Sequence, residues 1–233
     1  MATGLCQRKR SRSKTMKGRI SPEQRLARAD VELGLLIAAV ATRIGPQRIK
    51  PSKAAPFESL VRAVVYQSVS GKAAATIFKH LKEQLGGYVR PAIVIKKAPS
   101  ALNSAGLSAS KARAICGLAR WFCANPSVAR RLTAMSDDKI IATLITIPGI
   151  GVWTVNVFLI FSLGRKDVIP AGDMGIRRGV QLISQLPQPA SPEQVQERSQ
   201  RWQPHRSLAS VYIWNAVKLN LSQNDLNAAR RKT

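Results

Sequence analysis

Residues 147–155 read Ile-Pro-Gly-Ile-Gly-Val-Trp-Thr-Val, with apolar helical runs on either side. A single helix cannot pass through that stretch. Proline removes a backbone donor and clashes with the preceding turn, and two glycines loosen the backbone. The chain must turn there, and Pro-Gly-Ile-Gly between two helices makes the turn a tight helical hairpin. Gly149 and Gly151 allow positive φ and let bare backbone approach a ligand. The helix that opens after Gly151 aims its first N–H groups and its positive dipole end at the same place, which suits a phosphate. Ile150 is expected to plug into the core, and Thr154 to join the phosphate-facing surface. The plainer alternative is a tight turn between packed helices with no ligand.

The rest of the chain carries the same helical punctuation. Ser21-Pro22-Glu23-Gln24 reads as a cap followed by a helix to Ile44, where Gly45-Pro46 stops it. A loop then runs to Pro56. Leu60, Val61, Val64, Val65 and Val69 recur at helical spacing over 57–69, and Ser70 opens a helix through Leu85. Further helices are expected over 91–97, 109–124, 136–146, 152–163, 173–185, from Ser191, and over 207–219. Strand signals are nearly absent. The fold class is therefore all-α, about ten helices with short connections. Residues 1–19 read as a disordered basic tail, 20–225 as one helical domain of two lobes with a cleft between them, and 226–233 as a basic C-terminal tail.

Charge limits the partners. Thirty-seven Lys and Arg stand against 12 Asp and Glu, a net charge of +25. With the ten basic residues of the two tails set aside, the body still holds 27 basic residues against 12 acidic ones. Such a body calls for a polyanion, with affinity falling as salt rises. No apolar run is long enough to span a bilayer, and no apolar segment follows the N-terminal charges, so an intracellular protein without a membrane partner is expected. Its place would be the nucleus in a eukaryote, or the cytoplasm and nucleoid in a bacterium. Cys6, Cys116 and Cys123 form no ligand-like cluster; Cys116 and Cys123, two turns apart, read as reduced core thiols.

A lone acid stands in Pro170-Ala171-Gly172-Asp173-Met174-Gly175-Ile176. Its ordinary reading is the N-cap of the helix that follows. Yet a carboxylate near a phosphate-binding face weakens DNA affinity and needs another reason to be there. It can stabilise an oxocarbenium-like sugar as a base departs, and orient the attacking water. One carboxylate serves both purposes if it caps with one oxygen and faces the site with the other.

With these residues in view, the chain resembles the helix–hairpin–helix DNA glycosylase superfamily, in particular the 3-methyladenine DNA glycosylase II branch. The likeness rests on Pro56 to Ala74 (Pro-Phe-Glu-Ser-Leu-Val-Arg-Ala-Val-Val-Tyr-Gln-Ser-Val-Ser-Gly-Lys-Ala-Ala), on Gly106-Leu107-Ser108-x-x-Lys111, on 147–179, and on Trp202 to Ser207 with Trp214. The resemblance implies an enzyme of base excision repair that flips an alkylated purine out of double-stranded DNA and hydrolyses its N-glycosidic bond. It implies Asp173 as the catalytic residue, and Trp153, Trp214, Tyr66 and Met174 around the base. Electron-rich rings there suit the cationic N3- and N7-methylpurines. Gln67, Ser68, Gly149, Gly151, Thr154, Lys72 and Arg206 are the implied DNA contacts. No cofactor is required; a structural monovalent cation is implied on the main-chain carbonyls of Ile145, Ile147 and Ile150. A monomer is expected.

Two features refine this expectation. Relatives that also cut the backbone carry a Schiff-base lysine where this chain has Trp153, so a monofunctional enzyme that uses water is implied. No four-cysteine cluster ends the chain, so no iron–sulfur centre is expected. The family's large wedge residue after Gln67 is replaced by Ser68, and Met174 and Val157 stand where aromatics are common. A non-catalytic helix–hairpin–helix DNA-binding module, or a glycosylase for deaminated or oxidised bases, are the alternative readings.

Overall fold

The structure is a computed structural model and describes residues 20–231. The expected basic N-terminal tail lies outside the described residues. Among the described residues there is no strand. The helices run α1 (Pro22–Ala29), α2 (Val31–Ile44), α3 (Pro56–Val65), α4 (Gly71–Gln84), α5 (Pro91–Val94), α6 (Pro99–Asn103), α7 (Ala109–Ala124), α8 (Pro126–Arg131), α9 (Asp137–Leu144), α10 (Val152–Phe161), α11 (Met174–Ser184), α12 (Pro192–Ser199), α13 (Arg206–Lys218) and α14 (Gln223–Arg230).

Most of these starts follow from a side chain that satisfies the first-turn N–H groups. Ser21, Ser70, Ser108, Asp173 and Ser191 each accept from the residue three positions on. Pro stands in the first turn of six helices, where its missing N–H costs nothing.

The helices gather around two hydrophobic cores. The first is built from α3 to α10, with Leu60, Val64, Leu81, Ile115, Leu118, Leu144, Phe158 and Leu159 at its centre. The second draws α1 and α2 from one end of the chain against α11 to α14 from the other, around Leu33, Leu36, Val40, Ile176, Trp202, Tyr212 and Ile213. Trp214 packs against both.

Three expectations need correction. The helix expected from 22 to 44 is broken at Asp30, whose extended backbone (φ −147°, ψ 100°) closes α1 and caps α2 through the Leu33 N–H. Asp30 is buried and also binds Arg198 through two nitrogens and the Trp202 indole. Burial on its own pushes this carboxyl up; the hydrogen bonds of Arg198 and Trp202 outweigh it and hold the group below its ordinary range. The expected C-terminal tail is helical as far as Arg230. Leu226 of α14 is fully buried against α2, and Asp225 and Arg230 pair with Arg43 and Glu32 of that helix. Cys116 is buried, and burial raises its thiol pKa, but Cys123 is exposed and is no core residue.

Candidate active site

The hairpin is formed by α9, residues 145–151, and α10. Gly149 has φ +86°, and a Cβ there would lie 2.5 Å from the Ala114 Cβ, so glycine is required twice over. Gly151 does not use that freedom. Its backbone is extended (φ −97°, ψ 171°), and a Cβ would meet nothing within 4 Å. Its use is different: it caps α10 without a side chain, so the first-turn N–H groups meet no side-chain acceptor. Ile147 and Ile150 are buried, as a plug requires.

The segment after α3 is fastened to this hairpin. Gln67 Nε2 donates to the Gly149 carbonyl at 3.2 Å and to Thr154 Oγ1 at 2.8 Å. Thr154 is itself buried, so its hydroxyl positions Gln67 and does not reach a phosphate. Behind the segment, Lys111 Nζ donates to the carbonyls of Val65 (2.9 Å) and Gln67 (2.6 Å). Burial lowers the Lys111 pKa. The clamp holds a turn in which Ser68 takes a left-handed conformation, φ +52°. Ser68 and Lys72 are exposed beside it, and Val69 shows an apolar side chain to solvent.

Asp173 sits where the two cores meet. Its Oδ1 caps α11 through the Ile176 N–H (2.9 Å) and also accepts the Trp214 indole N–H (2.8 Å). Its Oδ2 accepts the Trp153 indole N–H at 2.5 Å. The capping and the site-facing readings of this residue thus hold together in one side chain. Trp153 comes from the hairpin helix α10 and Trp214 from α13, so three elements fix one carboxylate. The arrangement depends on two small residues of α11. A Cβ on Gly175 would lie 3.0 Å from both Asp173 Oδ1 and Trp214 Cδ1, and one on Gly179 would lie 2.1 Å from Ile213 Cγ2. These glycines let α13 come close enough for Trp214 to reach the acid.

Trp153 is a wall between two clefts. One, of about 800 Å³, is lined by Trp153, Val157, Phe161, Trp214 and Tyr66, with Gln47 and Asn215 among its polar groups. The other, of about 390 Å³, lies on the Asp173 side and includes Asn156 and Asp167. Phe161 is the aromatic that the sequence reading missed. It lies 5.7 Å from Trp214, ring centre to ring centre, at 30°. The signal was present: Trp153, Val157 and Phe161 recur every four residues, one face of α10. Arg62 lies 5.4 Å over the Tyr66 ring and so occupies one of its faces. Met174 is exposed next to Asp173. Arg206 corrects another expectation. Its guanidinium is held by both carboxylate oxygens of Asp167, at 2.9 Å each, and is not free for DNA.

The fold is all-helical, and its site joins a hairpin with uncapped N–H groups to a carboxylate held between two indoles at a cleft. Residues 61–205 match the family described as HhH-GPD superfamily base excision DNA repair protein, and the chain belongs to that family. It is similar to DNA-3-methyladenine glycosylase 1 of Schizosaccharomyces pombe, 34% identical over 173 residues that cover 72% of this chain and 75% of that one. A solved structure of the 3-methyladenine DNA glycosylase of that yeast in complex with abasic DNA superposes with a TM-score of 0.74 at 29% identity, covering 84% of this chain and 96% of the other. A DNA-3-methyladenine glycosidase from Bacillus halodurans gives 0.71 at 28% identity, covering 89% and 96%.

Proposed function

We propose that this protein is a monofunctional DNA-3-methyladenine glycosylase II-type enzyme. It hydrolyses the N-glycosidic bond of alkylated purines in double-stranded DNA and leaves an abasic site. The observation that carries this reading is the Asp173 carboxylate, held by the indole N–H groups of Trp153 and Trp214, two walls of the aromatic cleft.

The hairpin grips a phosphate through the N–H groups at the start of α10 and holds register without reading sequence. The target nucleotide turns out of the duplex into the cleft of Trp153, Phe161 and Trp214. A methylated purine carries positive charge, which aromatic faces favour and which makes the base a good leaving group. As the bond breaks, charge builds on the sugar. Asp173 Oδ2 has one donor where Oδ1 has two, so Oδ2 keeps more acceptor capacity for the sugar cation and the incoming water. Trp153 offers no amine, so water is the nucleophile.

Gln67 is committed to Gly149 and Thr154, and Ser68 is small; Val69 is the exposed apolar side chain of that turn available to enter the base stack. The carbonyls of Ile145, Ile147 and Ile150 would hold a monovalent cation and stiffen the hairpin. Main-chain oxygens suit a hard cation, and Ile147 also accepts the Ile150 N–H at 3.0 Å. The protein acts as a monomer inside the cell.

The test is incubation of methylated duplex DNA with the wild type and with Asp173→Asn, scoring free bases by chromatography. Wild type releases methylated purines and the variant does not. Wild type that releases no alkylated base sinks the reading. Strand breaks without alkali contradict the monofunctional assignment.

A further inference from the structure

The loop between α2 and α3 forms part of the cleft, and nothing in its sequence announced a function. Residues 45–50 alternate. Gly45, Gln47 and Ile49 are half-buried, while Pro46, Arg48 and Lys50 are exposed. The inward residues are firmly attached. The Gln47 N–H donates to Tyr212 Oη at 2.9 Å, its Oε1 accepts from Asn215 at 3.2 Å, and its Nε2 holds the Gly45 carbonyl at 2.7 Å. Ile49 packs on the first core. Pro51 lies so near Gly164 that a Cβ there would approach it to 2.5 Å, and the Ser52 N–H donates to the Phe161 carbonyl at 2.9 Å. The segment is therefore a fixed strap from α13 to α10, with two cationic side chains on its outer edge.

Arg48 and Lys50 both line the large cleft alongside Trp153 and Trp214. Among the described residues neither has an ion-pair or hydrogen-bond partner, whereas Arg62 of the same cleft is parked on Tyr66 and Phe78. Two unpaired cations beside a pocket for a cationic base are unfavourable unless an anion neutralises them. Duplex DNA brings that anion as backbone phosphate. We infer that Arg48 and Lys50 form a second phosphate grip on the cleft lip made by the strap, in addition to the hairpin, and hold the backbone of the strand whose base enters the cleft. This inference rests on the DNA glycosylase reading above.

The test is the salt dependence of binding to a duplex that contains a tetrahydrofuran abasic-site analogue, measured by fluorescence anisotropy over a potassium chloride series. Each phosphate contact contributes about 0.9 to the slope of log K against log salt, so Arg48→Ala/Lys50→Ala should flatten the slope by roughly 1.8. A control pair outside the cleft lining, Lys96→Ala/Lys97→Ala, removes the same charge and should leave the slope unchanged. An unchanged slope in the Arg48/Lys50 variant overturns the inference, including the case where excision falls and the slope does not, since the two residues would then read the base. Equal flattening in both double variants also overturns it, because the effect would be one of net charge. Wild type that neither binds this duplex nor releases methylated bases fails the glycosylase reading itself. Wild type that does both, beside a variant of unchanged slope, fails only the strap.

Discussion

Trp214 reaches from α13 to Asp173 at the start of α11 and donates its indole N–H to the oxygen that already caps that helix, at 2.8 Å. A helix cap and a reactive group are usually separate purchases in a fold; here one carboxylate serves as both. Its position is thus defined by backbone as well as by side chains, and changes near it should separate chemistry from folding.

Asp173→Asn keeps a capping oxygen and removes the charge. Excision from methylated duplex should fall by roughly a hundred- to a thousand-fold, the scale of losing a positioned electrostatic group. Affinity for the abasic-analogue duplex should hold or rise, because a negative charge has left a DNA-facing site. Single-turnover release and anisotropy read the two effects. A parallel loss of both would count against the catalytic assignment.

Gly175→Ala sets two effects against each other. Alanine in place of glycine favours a helix interior by about 0.5–1 kcal/mol. The added Cβ, however, meets Asp173 Oδ1 and Trp214 Cδ1 at 3.0 Å, closer than ordinary contact. Thermal stability should change by less than about 1 kcal/mol while excision drops about tenfold. A variant of wild-type activity would show that the Trp214 tether is dispensable. Gly179→Ala, whose Cβ would lie 2.1 Å from Ile213 Cγ2, should cost about 1–3 kcal/mol of stability as an overpacked contact.

Lys111→Met should free the carbonyls of Val65 and Gln67 and loosen the turn at Ser68. Hydrogen bonds from a charged donor contribute about 1.5–3 kcal/mol, so a destabilisation of that size is expected. The discriminating readout is local: hydrogen exchange should accelerate at Gln67 to Ser70 beyond the change in the rest of the first core. Uniform acceleration would mean that Lys111 is a core residue only.

Asp30 ties stability to acid. Its folded pKa lies below the unfolded value, so its contribution is complete above about pH 4, the ordinary range for this carboxyl, and is lost as pH falls through the folded value. Asp30→Asn leaves Arg198 without its partner and should cost about 3 kcal/mol at neutral pH. Denaturant titrations of wild type and variant should converge as pH falls below the ordinary carboxylate range. A gap that stays constant over that range would show that the ion pair does not drive the acid limb.

The caps at Ser21, Ser70, Asp173 and Ser191 could be read in advance because each is a local event, a side chain meeting an N–H three residues on. The hairpin could be anticipated for a related reason: Pro-Gly-Ile-Gly between two helical runs leaves the chain few alternatives to a tight turn. What escaped depends on distant partners. The break at Asp30 is settled by Arg198 and Trp202, at sequence separations of 168 and 172 residues. Arg206 looked like a DNA contact until Asp167, 39 residues earlier, was found to hold it. Thr154 was misread because residue type does not tell which way a hydroxyl points. The C-terminal segment looked like a tail by its charge, yet Leu226 alone gives it a buried anchor.

The second core is assembled from both ends of the described chain, with α1 and α2 closing against α13 and α14. During synthesis the first core, with its hairpin, is complete before α13 has emerged. A growing or cleaved chain that stops after α12 therefore has the phosphate-binding turn and Asp173, but no Trp214 to hold the acid in place. The order of the chain therefore supplies the hairpin first and the tether of the acid last, and base release should wait on the final helices.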